Sequence, residues 1–548
     1  MVFSEPHWDH HIPLPKLGAL YSRMLTASVA LLCFINSYDG DFVFDDSEAI
    51  INNKDLKPDT PLSNIWKNDF WGSNLSSNSS HKSYRPLTVL TFRVNYLLAG
   101  GLHPIGFHAL NVALHCIISV LMIDVFAILI CGTVDDGRGT NNSHPPKASL
   151  LAALFFATHP VHTESGLLRR KLHTAGVKHI ASEKPALGLE GVRFIETTDS
   201  GLRDVSKKVA AGLQPGLTAV AGVVGRADLM CALFFQLSFL LYCKAFQGGN
   251  KKFSLLWIFG SILLCAVAML CKEQGITVLG VNAAYDLLMV CNLNVYELLL
   301  TKRKSFHING LAKSGVLIRL GILFVGGSLL LYLRWRIMGT GPPSFTEVDN
   351  PASFAESLMM RIVNYNYYYS LNAWLLLCPW WLCFDWSMGC VPLIKSATDW
   401  RIVWPVVLWC CLMGLLSQAL CSQDSSKRRT LTFGLVLMVI PFLPASNLFF
   451  RVGFVIAERV LYLSSAGYCL ILAYAVGYSS CHWRKHKRLL RAAMLTLLCV
   501  NVVRSAQRSQ QWRSEQSLFT SALSVCPLNA KVRPLTCMLH YEQKKNVA

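Results

Sequence analysis

Charged side chains are scarce in this chain. Asp, Glu, Lys and Arg together make up 15% of its 548 residues, while 53% are hydrophobic. A soluble domain carries about a quarter charged residues. The deficit therefore excludes an ordinary soluble enzyme and points to many membrane spans. No P-loop, RNP or zinc-finger pattern occurs, which removes the usual marks of nucleotide and nucleic-acid binding. None of the 19 cysteines forms a Cys-x-x-Cys pair, so the common zinc and thioredoxin-like frameworks are absent too. Most cysteines stand singly in apolar runs, as Cys33, Cys116, Cys231, Cys265 and Cys469 do, and read as buried thiols. Acid is the scarcer sign of charge, 32 residues against 51 basic ones, for a net charge of +19. In a membrane protein such an excess collects in cytoplasmic loops and does not imply nucleic acid.

Against that scarcity, one acidic stretch organises the rest. Tyr38 to Ile50 places Asp39, Asp41, Asp45, Asp46 and Glu48 directly after an apolar span ending near Ser37. Carboxylates at the edge of a bilayer are costly to hold without a partner or a task. Asp45 and Asp46 lie among Phe42, Val43, Phe44, Ile50 and Ile51. Apolar neighbours raise a carboxyl pKa, which suits a general base or acid. The plainer alternative is a solvated acidic loop.

Residues 1–17 form a short cytoplasmic tail. His7, Asp9, His10 and His11 are metal-ligand types, but so short a tail offers no scaffold, and no metal is expected. Gly18 to Ser37 reads as a signal anchor. Lys16 and Arg23 precede its apolar centre and acid follows it, which puts the N-terminus in the cytoplasm and residues 38–86 in a first lumenal loop. Two glycosylation sequons there, at Asn74 and Asn78, agree with that side. Arg85 then precedes Pro86, a favoured first helical residue. Residues 87–99 re-enter the membrane and 104–131 continue in it, broken at Gly100-Gly101 and His103-Pro104. His108 and His115 share a helix face there and read best as hydrogen-bonded core residues. After the span Ser149 to Thr158 comes His159-Pro-Val-His-Thr-Glu164, where Pro160 argues against a metal pair on one helix. Residues 166–217 are polar, with nine Lys or Arg against five Asp or Glu. They show no period and read as an atypical insertion with little order of its own.

Apolar sequence resumes near Ala219, with Arg226 and Asp228 at the start of a span. Lys272 and Glu273 interrupt a long apolar run, and intramembrane ions are functional candidates by default. Mutual neutralisation is the plainer reading of that pair. Further spans follow at 315–338, 403–420, 431–442, 453–478 and 489–503. Between 339 and 400 the parity of spans fails: the loops on both sides of the tyrosine-rich segment 364–377 read as lumenal. One segment there is expected to be re-entrant or horizontal. Glu458 and Arg459 lie near the lumenal face. Residues 504–548 form a lumenal tail in which 511–531 resembles the start of one truncated tetratricopeptide repeat, expected to fray because one repeat cannot bury its face alone.

Taken together, the motifs Phe42-Val-Phe-Asp-Asp46, Asp69-Phe-Trp-Gly72, Ser83-Tyr-Arg-Pro-Leu-Thr88, His159-Pro-Val-His-Thr-Glu164, Gly225-Arg-Ala-Asp228, Cys271-Lys-Glu-Gln-Gly-Ile-Thr277, Pro444-Ala-Ser-Asn447 and Ala457-Glu-Arg459 resemble one family. It is the transmembrane and tetratricopeptide-repeat-containing (TMTC) family, and the resemblance covers about residues 18–531 apart from the insertion. Members end in a long lumenal repeat array, of which these residues hold only the beginning. The resemblance implies an all-α, polytopic membrane protein of the endoplasmic reticulum. Its transmembrane domain (18–503) would be a GT-C glycosyltransferase bundle of roughly 10–12 helices, each long enough to cross a bilayer. It implies transfer of mannose from dolichyl-phosphate mannose to Ser or Thr of cadherin-type domains, with inversion and without a metal or other cofactor. Asp45 or Asp46 then matches the catalytic base. Arg85, Arg226, Lys272 and Arg459 are candidates to hold the leaving phosphate, and His159, Glu164, Glu273 and Glu458 are possible substrate contacts. Two rival readings are an inactive membrane scaffold and a secondary transporter. The latter should show matched halves, and none is seen.

Overall fold

The structure is a computed structural model that describes residues 5–43, 46–77, 80–131, 144–163, 222–246, 254–291, 293, 315–339, 345–387 and 389–529. Asp45, Asn78, Glu164 and the 166–217 insertion lie outside the described residues. Regular structure among the described residues is helical, apart from one isolated bridge between Asn68 and Asn74. The helices are α1 (Ala19–Phe34), α2 (Pro86–Ala99), α3 (Pro104–Cys131), α4 (Lys147–Thr158), α5 (Arg226–Lys244), α6 (Leu255–Cys271), α7 (Val278–Tyr285), α8 (Val316–Met338), α9 (Leu358–Leu377), α10 (Val403–Cys421), α11 (Ser425–Val439), α12 (Leu461–His482), α13 (Lys487–Gln511) and α14 (Glu515–Val525). Eight helical segments among the described residues are long and apolar enough to cross a membrane, and α4 and α6 are shorter apolar helices. The chain is an all-α polytopic membrane protein. Large apolar side chains such as Leu317, Phe324, Trp404, Val406 and Leu489 point outward. Lipid, not water, is the solvent that tolerates such a surface.

The bundle has two ends, and contacts assign the segments to them. At one end the first loop packs with the chain around α14: Val43, Ile50, Phe70, Phe384, Trp512, Leu518 and Phe519 share one apolar cluster. Asp39 pairs with Arg513, and a disulfide joins Cys390 to Cys526. At the other end the N-terminal segment closes the bundle. Asp9 accepts hydrogen bonds from the Ala148 and Lys147 amides at 2.7 and 3.2 Å, capping α4. The Arg429 guanidinium reaches the Ile130 carbonyl there. Between the ends, α11 and α12 approach through Gly434 and Gly467, where any side chain would strike the facing backbone or an isoleucine.

α2 stays at the first-loop end. α2 starts at Pro86 and stops at Gly100, whose φ of +68° is left-handed. Its two ends both meet that face: Arg85 touches Phe70, and Asn95 touches Gly106 and Arg226. Residues 87–99 therefore lie along the bundle end, a correction to the reading that they re-enter the membrane. α9 is not among the helices long and apolar enough to cross a membrane; its Asn364 bonds Ile394, and its Leu376 carbonyl bonds His159.

The expected fraying near 511–531 does not occur in α14. Ser514 caps it, and Leu518, Phe519 and Ala522 are buried. The first loop supplies the apolar face that a second repeat helix would otherwise provide.

At the end opposite the first loop, Asp286 is fully buried and bridged twice by Arg319, at 2.7 and 2.6 Å, with the Tyr242 hydroxyl at 2.8 Å. Removing one partner of a buried pair strands the other charge. Arg319→Met is expected to destabilise the bundle by about 3–5 kcal/mol, read as a lower melting temperature in detergent. Asp286→Asn with Arg319→Met together should recover much of that loss.

Candidate active site

The first loop is built around Asp69 of the Asp-Phe-Trp-Gly motif. Its Oδ1 accepts from the Trp71 and Ser73 amides, both at 3.0 Å, and its Oδ2 accepts from Ser80 Oγ at 2.7 Å and the His81 amide at 3.1 Å. Gly72 has φ +78° and lies against Asn53, so no side chain fits there. Arg93 on α2 donates to the carbonyls of Asp55, Pro58 and Thr60, which fastens the loop to α2. Burial pushes the Asp55 carboxyl up, and two hydrogen bonds from Asn68 pull it back. Asn74 is exposed, with its Oδ1 accepting from the Ser76 amide at 2.8 Å. Asn74→Gln is expected to remove an endoglycosidase-sensitive mobility shift of the protein expressed in microsomes. An unchanged shift would come from another site.

The acidic stretch is not one solvated loop. Asp39 and Asp41 are exposed, whereas Asp46 is fully buried. Arg226, at the start of α5, is close enough to Asp46 to act on its charge. The rest of its guanidinium is taken up by the protein. Its Nε donates to Asn111 Oδ1 at 3.0 Å, Nη2 to the Phe107 carbonyl at 2.9 Å, and Nη1 to Thr91 and Asn95, between the rings of Phe92 and Phe107. Arg226 thus joins α2, α3 and α5 beneath the carboxylate.

A second group of ions gathers at the same bundle end. Arg85 donates to Glu273 Oε1 at 3.0 Å, and Arg334, from the end of α8, to Glu273 Oε2 at 3.3 Å. Lys272 pairs with Asp228. Arg85 and Arg459 both act on the Lys272 charge. Arg85, Lys272, Arg334 and Arg459 are thereby gathered with Asp228 and Glu273 in one ionic group. Glu273 is the acid left partly open, its side chain 39% exposed. Arg85 and the Arg226 contact Thr91 are six residues apart on α2, roughly 9 Å along the axis at 1.5 Å per residue. Asp228 follows Arg226 by two residues on α5. Arg226 and the cationic group are therefore neighbours on shared helices.

The other expected contacts are placed differently. Glu458 Oε1 accepts from the Cys383 amide at 2.7 Å and Trp386 Nε1 at 3.0 Å, so it holds the 382–386 loop. His159 Nδ1 accepts from the Val161 amide, leaving its Nε2–H for the Leu376 carbonyl at 3.0 Å. His115 is satisfied by Tyr462 and the Ala157 carbonyl, as a core histidine should be. An open groove of about 570 Å³ runs along α13 from Ala492 to Gln507, walled by Trp380 and reaching Arg504. A smaller space of about 150 Å³, lined in part by His159 and Tyr468, shares Trp380, Val500 and Arg504 with it.

In sequence, Arg334-Trp-Arg336 reads as an ordinary basic span end, and nothing local marks Arg334. Its partners lie 61 and 65 residues back in Glu273 and the Met269 carbonyl.

A buried carboxylate and an ionic group at one end of the bundle, with an open groove along α13, define a polytopic membrane protein with a charged site. Comparison with known proteins places it further. The family model described as protein O-mannosyl-transferase TMTC, DUF1736, matches residues 339–413, the region of α9, the 382–386 loop and part of α10. The chain is 56% identical over 555 residues to protein O-mannosyl-transferase TMTC4 of Homo sapiens and 55% identical over 556 residues to that of Mus musculus. In both cases 100% of the chain and 66% of the relative are covered. It is 37% identical over 534 residues to protein O-mannosyl-transferase Tmtc3 of Drosophila melanogaster, covering 92% of the chain and 51% of the relative. The chain belongs to the TMTC family.

Proposed function

We propose that this protein is an O-mannosyltransferase that moves mannose from dolichyl-phosphate mannose to Ser or Thr hydroxyls of lumenal proteins, cadherin-type domains among them. The observation that carries the reading is the gathering of Arg85, Lys272, Arg334 and Arg459 at the bundle end that holds the buried Asp46. A lipid phosphate needs fixed positive charge where its own charge grows, and an incoming hydroxyl needs a carboxylate to take its proton. The family name of the relatives supports the same reaction.

In the proposed reaction the acceptor oxygen attacks the anomeric carbon from the face opposite the phosphate. The carbon–oxygen bond to phosphate breaks, and the electron pair leaves with dolichyl phosphate. The hydroxyl proton passes to Asp46, or to its neighbour Asp45. One displacement inverts the anomeric centre, by analogy with inverting glycosidases. Arg85, Lys272, Arg334 and Arg459 face the leaving phosphate, with Glu273 fixing the two arginines. Arg226 acts as a positioning residue, holding three helices beneath the carboxylate. Glu458 and His159 order the loops around the site. The groove along α13 offers an apolar surface of the kind a polyprenyl chain requires. The chemistry asks for no metal.

The first-loop face is lumenal in this reading, with the N-terminus cytoplasmic and α14 lumenal. The Cys390–Cys526 bond supports that orientation, because disulfides persist in the oxidising lumen of the endoplasmic reticulum. The test is direct: purified protein is given labelled dolichyl-phosphate mannose and a folded cadherin domain. Label should appear on the domain and be released as α-mannose. Donor binding without transfer would favour a scaffold, and uptake of a solute into vesicles would favour a transporter.

A further inference from the structure

At the end of the bundle away from the first loop, the N-terminal segment is not a loose tail. Its backbone turns through hydrogen bonds from the Asp9 amide to the Pro6 carbonyl at 3.0 Å and from His11 to Trp8 at 3.2 Å. Trp8 is buried against Tyr474, with ring centroids 5.1 Å apart, and its Nε1–H donates to Ser426 Oγ at 3.1 Å. It lies on Gly477, where any side chain would strike its ring. Gly477 and Cys481 are four apart on α12 and so share a face. Seating Trp8 on Gly477 therefore brings His7 beside Cys481. The Cys481 sulfur is 3.8 Å from His7 Nδ1, and the His7 and His11 ring centroids are 4.9 Å apart. One ligand atom from each of the three lies within 4.8 Å of the others. Such a scaffold is what the sequence reading of this tail could not foresee.

We propose that His7, His11 and Cys481 form a zinc site on the cytoplasmic face. Two imidazoles and one thiolate are the donor set that zinc takes readily, whereas magnesium and calcium prefer carboxylate and carbonyl oxygen. With zinc–nitrogen bonds of 2.0–2.1 Å and a zinc–sulfur bond of 2.3 Å, tetrahedral geometry sets the ligand atoms about 3.4–3.6 Å apart. The sulfur–nitrogen spacing is already within a few tenths of an ångström of that. Closing the remaining distance takes side-chain rotation of His11, which is only partly buried. Binding releases the Cys481 proton to solvent and leaves one position for water. The ion fastens the N-terminal segment to the last turn of α12, independently of the proposed mannosyl transfer at the other end.

Zinc content of the detergent-purified chain, measured by mass spectrometry after exchange into metal-free buffer, should be close to one ion per chain. Cobalt replacement should give the thiolate-to-cobalt charge-transfer band and the intense visible bands of a tetrahedral ion. Cys481→Ser and His11→Ala should each abolish the stoichiometric metal and the band, and Cys499→Ser, an exposed thiol on α13, should keep both. Chelation should also speed proteolysis within residues 5–17. Equal zinc content in the native chain and in Cys481→Ser, or a cobalt spectrum without the charge-transfer band, would overturn the site. Lysis-stable folding of each variant is read separately from its monodispersity on size exclusion.

Discussion

Asp46→Asn is expected to lower mannosyl transfer by about 10²–10⁴-fold, the range that a positioned general base contributes, while membrane insertion stays as in the native chain. Asparagine preserves shape and removes the acceptor of the proton. Asp46 is fully buried, near enough to Arg226 for the two charges to act on each other. A buried carboxylate so placed is either structural or chemical. The two separate cleanly in the assay: a structural role lowers the melting temperature along with activity, whereas a chemical role lowers kcat in a protein that melts normally. Asp45→Asn made in parallel shows which of the adjacent carboxyls takes the proton. Full transfer by both variants would remove the proposed base.

The second large effect concerns the cations. Arg85→Met is expected to cost about 10²–10³-fold in kcat, as removal of one fixed donor from a developing oxyanion does. The fold should tolerate it, because Glu273 keeps its bond to Arg334. Lys272→Met is a harsher test, since it strands the buried Asp228; pairing it with Asp228→Asn keeps the charges balanced. Arg226→Met should behave otherwise. It leaves Asn111, Asn95 and the Phe107 carbonyl without their donor, so the bundle itself loses stability. Reduced expression and a lower melting temperature are its expected signature. If Arg226→Met melts normally and loses only donor affinity, the division between phosphate-facing and positioning arginines is wrong.

Much of the bundle end was legible in sequence because it depends on local chemistry. Pro86 at a first helical position and Gly100 with left-handed backbone mark α2, and the carboxylate after an apolar span marks Asp46. The parity conflict around 364–377 agrees with α9 falling outside the helices apolar enough to cross a membrane. Over 87–99 an apolar pattern suits a helix at the interface as well as one in the bilayer. Distances along the chain hid the rest. Glu273 meets Arg85 across 188 residues, and the Cys390–Cys526 bond spans 136, and no local signal encodes either. Whether a cation is spare or committed also depends on the fold: Arg226 and Lys272 look alike in sequence, but one guanidinium is surrounded by neutral acceptors and one ammonium is matched to a carboxylate. The anchored N-terminal segment belongs to the same class, since Trp8 finds Ser426 418 residues away.

The measurement that tests the account most directly is photo-crosslinking of a dolichyl-phosphate analogue with its reactive group beside the phosphate, followed by peptide mapping. The account predicts labelling within 271–277 and around Arg334 and Arg459, competed by dolichyl-phosphate mannose and lost in Arg85→Met. Labelling confined to segments at the opposite end of the bundle, or unchanged by that substitution, would contradict it.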